Sequence, residues 1–233
     1  MKKALLKYLS IILLLLGVPV FMYCYYMEEN ANFHTVSEGL LYRSGQVDRY
    51  LIEKYAKDLN IHSIVNLRGS NPDRNWYLEE ITISRELGIV HIDIEDLSAR
   101  RYLPPHEIEN ILHRIILLPK PILIHCSGGA DRSGIIAAAW RLRYELDHPS
   151  KAFQQLSWRY GHFPYLWPDW KKTRAMDRSF RDYVEYLRNV EGYSYTEINR
   201  ILQYRSALSP LLIVQKSITP DPALSEDPTG ISH

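Results

Sequence analysis

Between residues 40 and 145, short runs of aliphatic residues alternate with stretches whose apolar positions recur every three or four residues. That alternation predicts βαβ units around a mostly parallel sheet flanked by helices, an α/β fold. Leu40–Arg43 reads as a first strand, with Ser44-Gly45 as its turn. Leu51, Tyr55 and Leu59 predict a helix over 47–59. Ser63–Leu67 is a second strand, ending at Arg68-Gly69-Ser70. A helix over 76–87 should stop at Gly88, which suits the left-handed end of a helix. Val90, Ile92 and Ile94 alternate with His91, Asp93 and Glu95, so 89–94 reads as a third strand. Pro104-Pro105 opens a helix to Leu118, and Pro121 introduces a short buried strand, Ile122–His125. Beyond Gly134 the pattern is helical over 135–146, 150–160 and 173–190. His162–Trp170, rich in Pro and Trp, reads as an aromatic loop.

The N-terminus follows another pattern. Tyr8–Met27 is twenty residues without a charge, enough for a helix of about 30 Å and hence for a bilayer span. Lys2, Lys3 and Lys7 precede it, while Tyr23, Tyr25 and Tyr26 gather at its far end, where amphipathic rings favour the headgroup boundary. No small residues mark a cleavage site, so an uncleaved transmembrane helix is preferred to a secretory signal. The lysines then predict a single-pass membrane protein with its catalytic part on the non-cytoplasmic side. The expected organisation is an anchor over 1–29, a globular domain over 30–205 and a disordered tail over 206–233. Pro210, Pro220, Pro222 and Pro228 mark that tail.

Composition narrows the function classes. The formal net charge of +1 becomes −2 without the three leading lysines, so nucleic acid is not an expected partner. Two cysteines exclude a disulfide scaffold and an all-cysteine zinc site. The nine histidines contain no His-x-His and no His-Glu-x-x-His, so no metal is implied, and no glycine pattern calls for a nucleotide cofactor. Oligomeric state cannot be read from the sequence.

The chemistry concentrates after the buried strand Ile122–His125. His125-Cys126-Ser127-Gly128-Gly129-Ala130-Asp131-Arg132-Ser133 joins that strand to a helix. Small residues and two glycines let successive amides turn toward one point, which the helix N-terminus also faces. Such a loop is an anion cradle for a phosphate dianion. The same positive field is one in which a cysteine acts as a thiolate nucleophile. Ser133 alone also reads as a helix cap, and His125 as a core histidine. Arg43 and Arg68, at strand ends, either flank the pocket or are solvated.

His125-Cys126-x-x-Gly129-x-x-Arg132-Ser133 resembles the signature of the cysteine-based protein tyrosine phosphatases, in the dual-specificity-like group. Leu41–Gln46, Ile64–Arg68 and Gln155-Leu156-Ser157-x-Arg159-Tyr160-Gly161-His162 resemble a bacterial branch, so the likeness spans about 38–190. The resemblance implies phosphoryl transfer through a cysteinyl-phosphate. Cys126 would be the nucleophile and Arg132 the bidentate phosphate clamp. The amides of Ser127, Gly128, Gly129, Ala130, Asp131 and Arg132 would hold the phosphate oxygens. Ser133 would donate to the departing thiolate, and His125 would steady the loop from behind. The family takes its general acid from an aspartate about thirty residues upstream, which points to Asp96, with Asp93 and Glu95 as rivals of neighbouring register. Asp131 reads as an orienting partner.

The expected substrate is a phosphorylated protein or small phosphoester, with dual specificity left open. An inositol-phosphate or lipid-phosphate phosphatase would use the same loop. A rhodanese-like sulfurtransferase and an inactive phospho-binding module are weaker alternatives. Ser127, Gly128, Ala130 and Asp131 contain no lysine and include an acid, which favours a singly phosphorylated group over a polyphosphorylated ring.

Overall fold

A computed structural model describes residues 2–164 and 170–189, with side chains for residue 8, 14–164 and 174–189. Five strands form one sheet in the order β1-β2-β5-β3-β4, where β1 is His34–Ser37, β2 Leu41–Ser44, β3 Ser63–Asn66, β4 Val90–Asp93 and β5 Ile122–His125. β2, β5, β3 and β4 run parallel, as expected. β1, absent from the sequence reading, pairs antiparallel with β2 through a register shift between Thr35 and Ser37, making the sheet mixed.

The three central strands β2, β5 and β3 are buried along their whole length, polar Arg43, Ser44, Ser63, Asn66 and His125 included. Side chains alternate between two cores. Leu41, Val65, Ile122 and Ile124 face a core built with α4 (Pro105–Ile116), α5 (Arg132–Tyr144) and α7 (Trp170–Asn189). Tyr42, Ile64 and Leu123 face a second core with α2 (Arg49–Leu59) and α3 (Asn75–Glu86). Asp48 caps α2 by accepting from Leu51 N–H at 2.8 Å. Gly88, at φ 67°, takes the chain out of α3 as anticipated.

One helix is corrected. The apolar pattern over 150–160 predicts a continuous helix, yet the chain forms a single turn, α6 (Pro149–Ala152), and two 3-10 turns at Phe153–Gln155 and Trp158–Tyr160. Ser157 is extended and Gly161 sits at φ 80°. The segment breaks because Gln155 turns its carbonyl and its side chain toward the buried guanidinium of Arg43.

The membrane expectation is not supported. A helix α1 does span Lys2–Glu29, with Pro19 inside it. Among the described residues, however, no helix is long and apolar enough to cross a membrane. The far end of α1 is instead tied to the domain. The Tyr23 hydroxyl donates to the carbonyls of Arg159 at 2.7 Å and Trp158 at 3.1 Å, and Tyr55 donates to Asn30 O at 3.1 Å. Tyr23, read from sequence as a headgroup residue, is a packing contact. The end of the helix over 173–190, the rest of the domain to 205 and the tail over 206–233 lie outside the described residues, as do residues 165–169 of the aromatic loop.

Candidate active site

The parallel strands bring their C-terminal ends to one edge of the sheet, where α/β proteins place ligands. Asn66 lies opposite Asp93 on one side and His125 on the other. The next residues out are therefore Leu67-Arg68 after β3, Ile94-Glu95-Asp96 after β4 and Cys126-Ser127 after β5. Across β2, Ser44 lies opposite His125, so Gly45-Gln46 joins the same edge.

The loop Ser127–Asp131 owes its shape to the acceptors on its back. Four successive carbonyls are held by donors outside the cradle. Ser127 O accepts from Gln46 N at 3.0 Å and Gly128 O from Asn32 Nδ2 at 2.9 Å. Gly129 O and Ala130 O both accept from Arg43 Nη2, at 2.6 and 3.0 Å. With the carbonyls bound behind, the amides point the other way; among the described residues, none of the amides of 127–131 has an acceptor. They form an inward-facing set of donors ahead of α5, as an anion cradle requires. Gly129, at φ 68°, is indispensable, since a Cβ there would lie 2.5 Å from Gly45 N and 2.7 Å from Ser44 C.

Arg43 is thus neither solvated nor at the pocket mouth. It is fully buried beneath the loop, bonded also to Gln155 O and Oε1 at 2.7 and 2.8 Å and stacked on Tyr160 at 4.6 Å. Burial lowers its pKa to about 10, which still leaves it charged at neutral pH. Gly134, in the first turn of α5, leaves room for it: a Cβ there would approach Gln155 O to 3.0 Å and Arg43 Nη2 to 3.2 Å.

Cys126 is buried at the head of the loop, its N–H directed at Ser44 O at 3.4 Å. Ser133, in the first turn of α5, is fully buried and donates to that same carbonyl at 3.2 Å. Arg132 opens α5, half-buried, and is anchored by one nitrogen, Nη1 donating to Leu67 O at 3.1 Å. Arg68 shares this side of the site. Its pKa is lowered first by burial and next by the charge of Arg132, while Cys126 acts in the opposite sense. Its guanidinium lies 3.6 Å from the Trp76 ring centre and donates to Gln46 Oε1 at 2.6 Å. Two cations therefore serve the neighbourhood of Cys126.

His125 is buried next to Cys126 in the chain, with Nε2 2.9 Å from Glu80 Oε1. Glu80 also meets His91 Nε2 at 2.8 Å and accepts from Gln46 Nε2 at 2.7 Å. Burial alone would raise this carboxyl, but the charges and hydrogen bonds of His125 and His91 outweigh it and hold the pKa at about 2. The sequence reading missed Glu80. A carboxylate on the inward face of the α3 pattern was the one signal that could have marked it.

The three acid candidates separate by their partners. Asp93 accepts from Asn66 Nδ2 at 2.8 Å and from the Tyr77 hydroxyl at 2.6 Å. Glu95 accepts from Ser70 N at 2.9 Å. Asp96 is exposed at φ 59°; its main-chain carbonyl is held by Arg101, whose charge its carboxylate feels, but that carboxylate accepts no hydrogen bond among the described residues. Only Asp96 has its carboxylate uncommitted.

Residues 47–145 match a family model described as Tc-R-P, a polymorphic toxin system DSP-PTPase phosphatase, and that span holds Cys126, Arg132 and Asp96. Over those residues the chain is similar to the dual-specificity-like phosphatases of the cysteine-based protein tyrosine phosphatase superfamily. The phosphatase is similar in fold to P. aeruginosa TpbA, at 17% identity and a TM-score of 0.51, over 74% of this chain and 91% of that one. It is likewise similar to Tk-PTP in a mutant form, at 17% identity and a TM-score of 0.50, over 67% and 96% of the two chains. No curated protein matches this phosphatase significantly.

Proposed function

We propose that this phosphatase hydrolyses phosphotyrosine in protein substrates through a cysteinyl-phosphate. The reading is carried by the loop whose carbonyls are bound behind it, which leaves its amides free to hold an anion between Cys126 and Arg132. In the first step Cys126 Sγ attacks phosphorus, the bond to the substrate oxygen breaks, and Asp96 gives that oxygen its proton. In the second, water attacks phosphorus, Asp96 takes a water proton, and the S–P bond breaks to release phosphate and restore the thiolate. Arg132 and the amides hold the equatorial oxygens throughout, and Ser133 would turn to the leaving sulfur.

The surroundings favour a peptide over a polyphosphorylated ring. A cleft of about 550 Å³ opens against Ser127 and Gly128. Its walls carry Glu28, Glu29 and Asp48 with Tyr50 and no lysine or arginine, whereas Arg68 stands beside Arg132 outside this cleft. Such a wall repels extra phosphates and suits a basic residue beside the phosphotyrosine.

The test is turnover by the full chain of phosphotyrosine peptides with basic, neutral and acidic flanks, alongside phosphoserine peptides and inositol polyphosphates. Cys126→Ser serves as the inactive control. Basic-flanked phosphotyrosine should be preferred roughly tenfold over acidic-flanked, with a preference that shrinks as salt screens it. Faster turnover of inositol polyphosphates would overturn the protein-substrate reading.

A further inference from the structure

The stretch Gln155–His162 contributes no group to the chemistry above, yet it lies along the back of the phosphate loop. Gln155 holds Arg43, Tyr160 stacks on it, and Tyr160 O shares the Asn32 amide with Gly128 O at 3.0 Å. Gly161 turns the chain, with its position for a Cβ 3.6 Å from Ala130 Cβ. The stretch ends in His162, which is 3% exposed.

Both ring nitrogens of His162 meet carboxylates. Nδ1 lies 2.5 Å from Asp131 Oδ1, within the phosphate loop, and Nε2 lies 3.0 Å from Asp177 Oδ1, on α7. A carboxylate can only accept, so both contacts are hydrogen bonds only when the ring carries two protons. Asp131 is thereby occupied. Although it precedes α5, it makes no capping bond to the helix, its carboxylate being turned to the histidine. Among the described residues, Asp131 and Asp177 are the charged groups facing the ring, and Phe153, Leu156, Trp158 and Phe163 close the rest of its surroundings.

We infer that His162 is a positioning residue, an imidazolium strut that ties the phosphate loop to α7 through Asp131 and Asp177 and so holds the cradle in its phosphate-binding shape. This rests on the phosphatase reading of the loop. It also gives the phosphatase an alkaline limit separate from its general acid. Burial opposes the charged ring, but the two carboxylates outweigh burial and raise its pKa to about 9. Above that pH the strut keeps one N–H, and its other nitrogen turns a lone pair toward a carboxylate.

Inorganic phosphate binding to the full chain carrying Cys126→Ser reads the cradle without turnover. His162→Gln in that background should weaken phosphate binding roughly tenfold or more at pH 7.5, the scale of one charge-assisted hydrogen bond. Without His162→Gln, affinity should fall as pH rises through about 9, and with it the dependence should flatten. Should His162→Gln fail to fold, Asp177→Asn, which leaves the link to Asp131, should give a smaller loss in the same direction, and the histidine ring can be titrated by NMR in the unmutated chain. Unchanged affinity in a folded variant, or a His162 that titrates at or below about 6.5, overturns the inference. If the chain hydrolyses aryl phosphate but binds phosphate equally well without His162, the strut fails and the activity stands. If phosphate binding needs His162 but no ester is hydrolysed, the activity fails and the strut stands.

Discussion

Arg43 Nη2 donates to the carbonyl of Gly129 across 2.6 Å, joining a fully buried cation to the one loop residue that tolerates no side chain. The loop is pinned here between the end of β2 and the charge beneath it. The active site thus depends on a residue that never meets substrate.

Gly129→Ala should disable the phosphatase. The new methyl would press on Gly45 N and Ser44 C, both main chain, at a left-handed φ. Turnover of an aryl phosphate should fall at least about 100-fold, with stability lowered by roughly 2–4 kcal/mol. Both can be read from initial rates and a urea midpoint.

Arg43→Met should cost more in stability than any change at the cradle mouth. It strips donors from the buried carbonyls of Gly129, Ala130 and Gln155. About 3–5 kcal/mol is expected by chemical denaturation. Arg43→Lys should recover only part of it, because one ammonium cannot reach both the Gln155 acceptors of Nη1 and the loop carbonyls held by Nη2.

Asp96→Asn should slow hydrolysis of phenyl and alkyl phosphates by roughly 100-fold or more, and of nitrophenyl phosphate much less. Asp93→Asn should instead lower stability by about 1 kcal/mol, since it disturbs the contacts to Asn66 and Tyr77. Glu95→Gln should change the leaving-group dependence little. Rates on a series of leaving groups separate the three.

Glu80 should make the phosphatase acid-sensitive. Its folded pKa, about 2, lies below the ordinary value of 4.5. Its contribution is therefore complete above about 4.5 and is lost as pH falls toward 2, up to about 3 kcal/mol in all. Glu80→Gln should be less stable at pH 7 and show a flatter stability profile between pH 5 and 2, measured by thermal or urea midpoints.

The central sheet was legible because its strands are buried on both faces and its helices carry clear apolar stripes, as Ile108, Ile111, Leu112 and Ile115 do. Cys126 and Arg132 stood out as candidates because their spacing is local to one loop. What escaped depended on distant pairs. Glu80 and His125 are 45 positions apart, Arg43 and Gly129 86, and His162 and Asp131 31. Periodicity carries no trace of such pairings. β1 escaped for another reason: across its register shift, Val36 and Ser37 are buried in succession, so its polar and apolar positions do not alternate. The break at 150–160 follows from where Gln155 is needed, a tertiary demand that overrides local pattern.

The last turn of α1 alters what trimming the protein would do. Met27, Glu28 and Glu29 form one wall of the cleft beside the cradle, and Tyr23 fastens that wall to the main chain at Trp158 and Arg159. Cutting away the apolar N-terminus at residue 29, the natural choice for an easily handled fragment, would spare Cys126, Asp96 and Arg132. On the proposed function, the fragment would still hydrolyse small aryl phosphates, while its selectivity among larger substrates would be that of a cleft with one side missing. Substrate profiles measured on it would describe the fragment and not the protein.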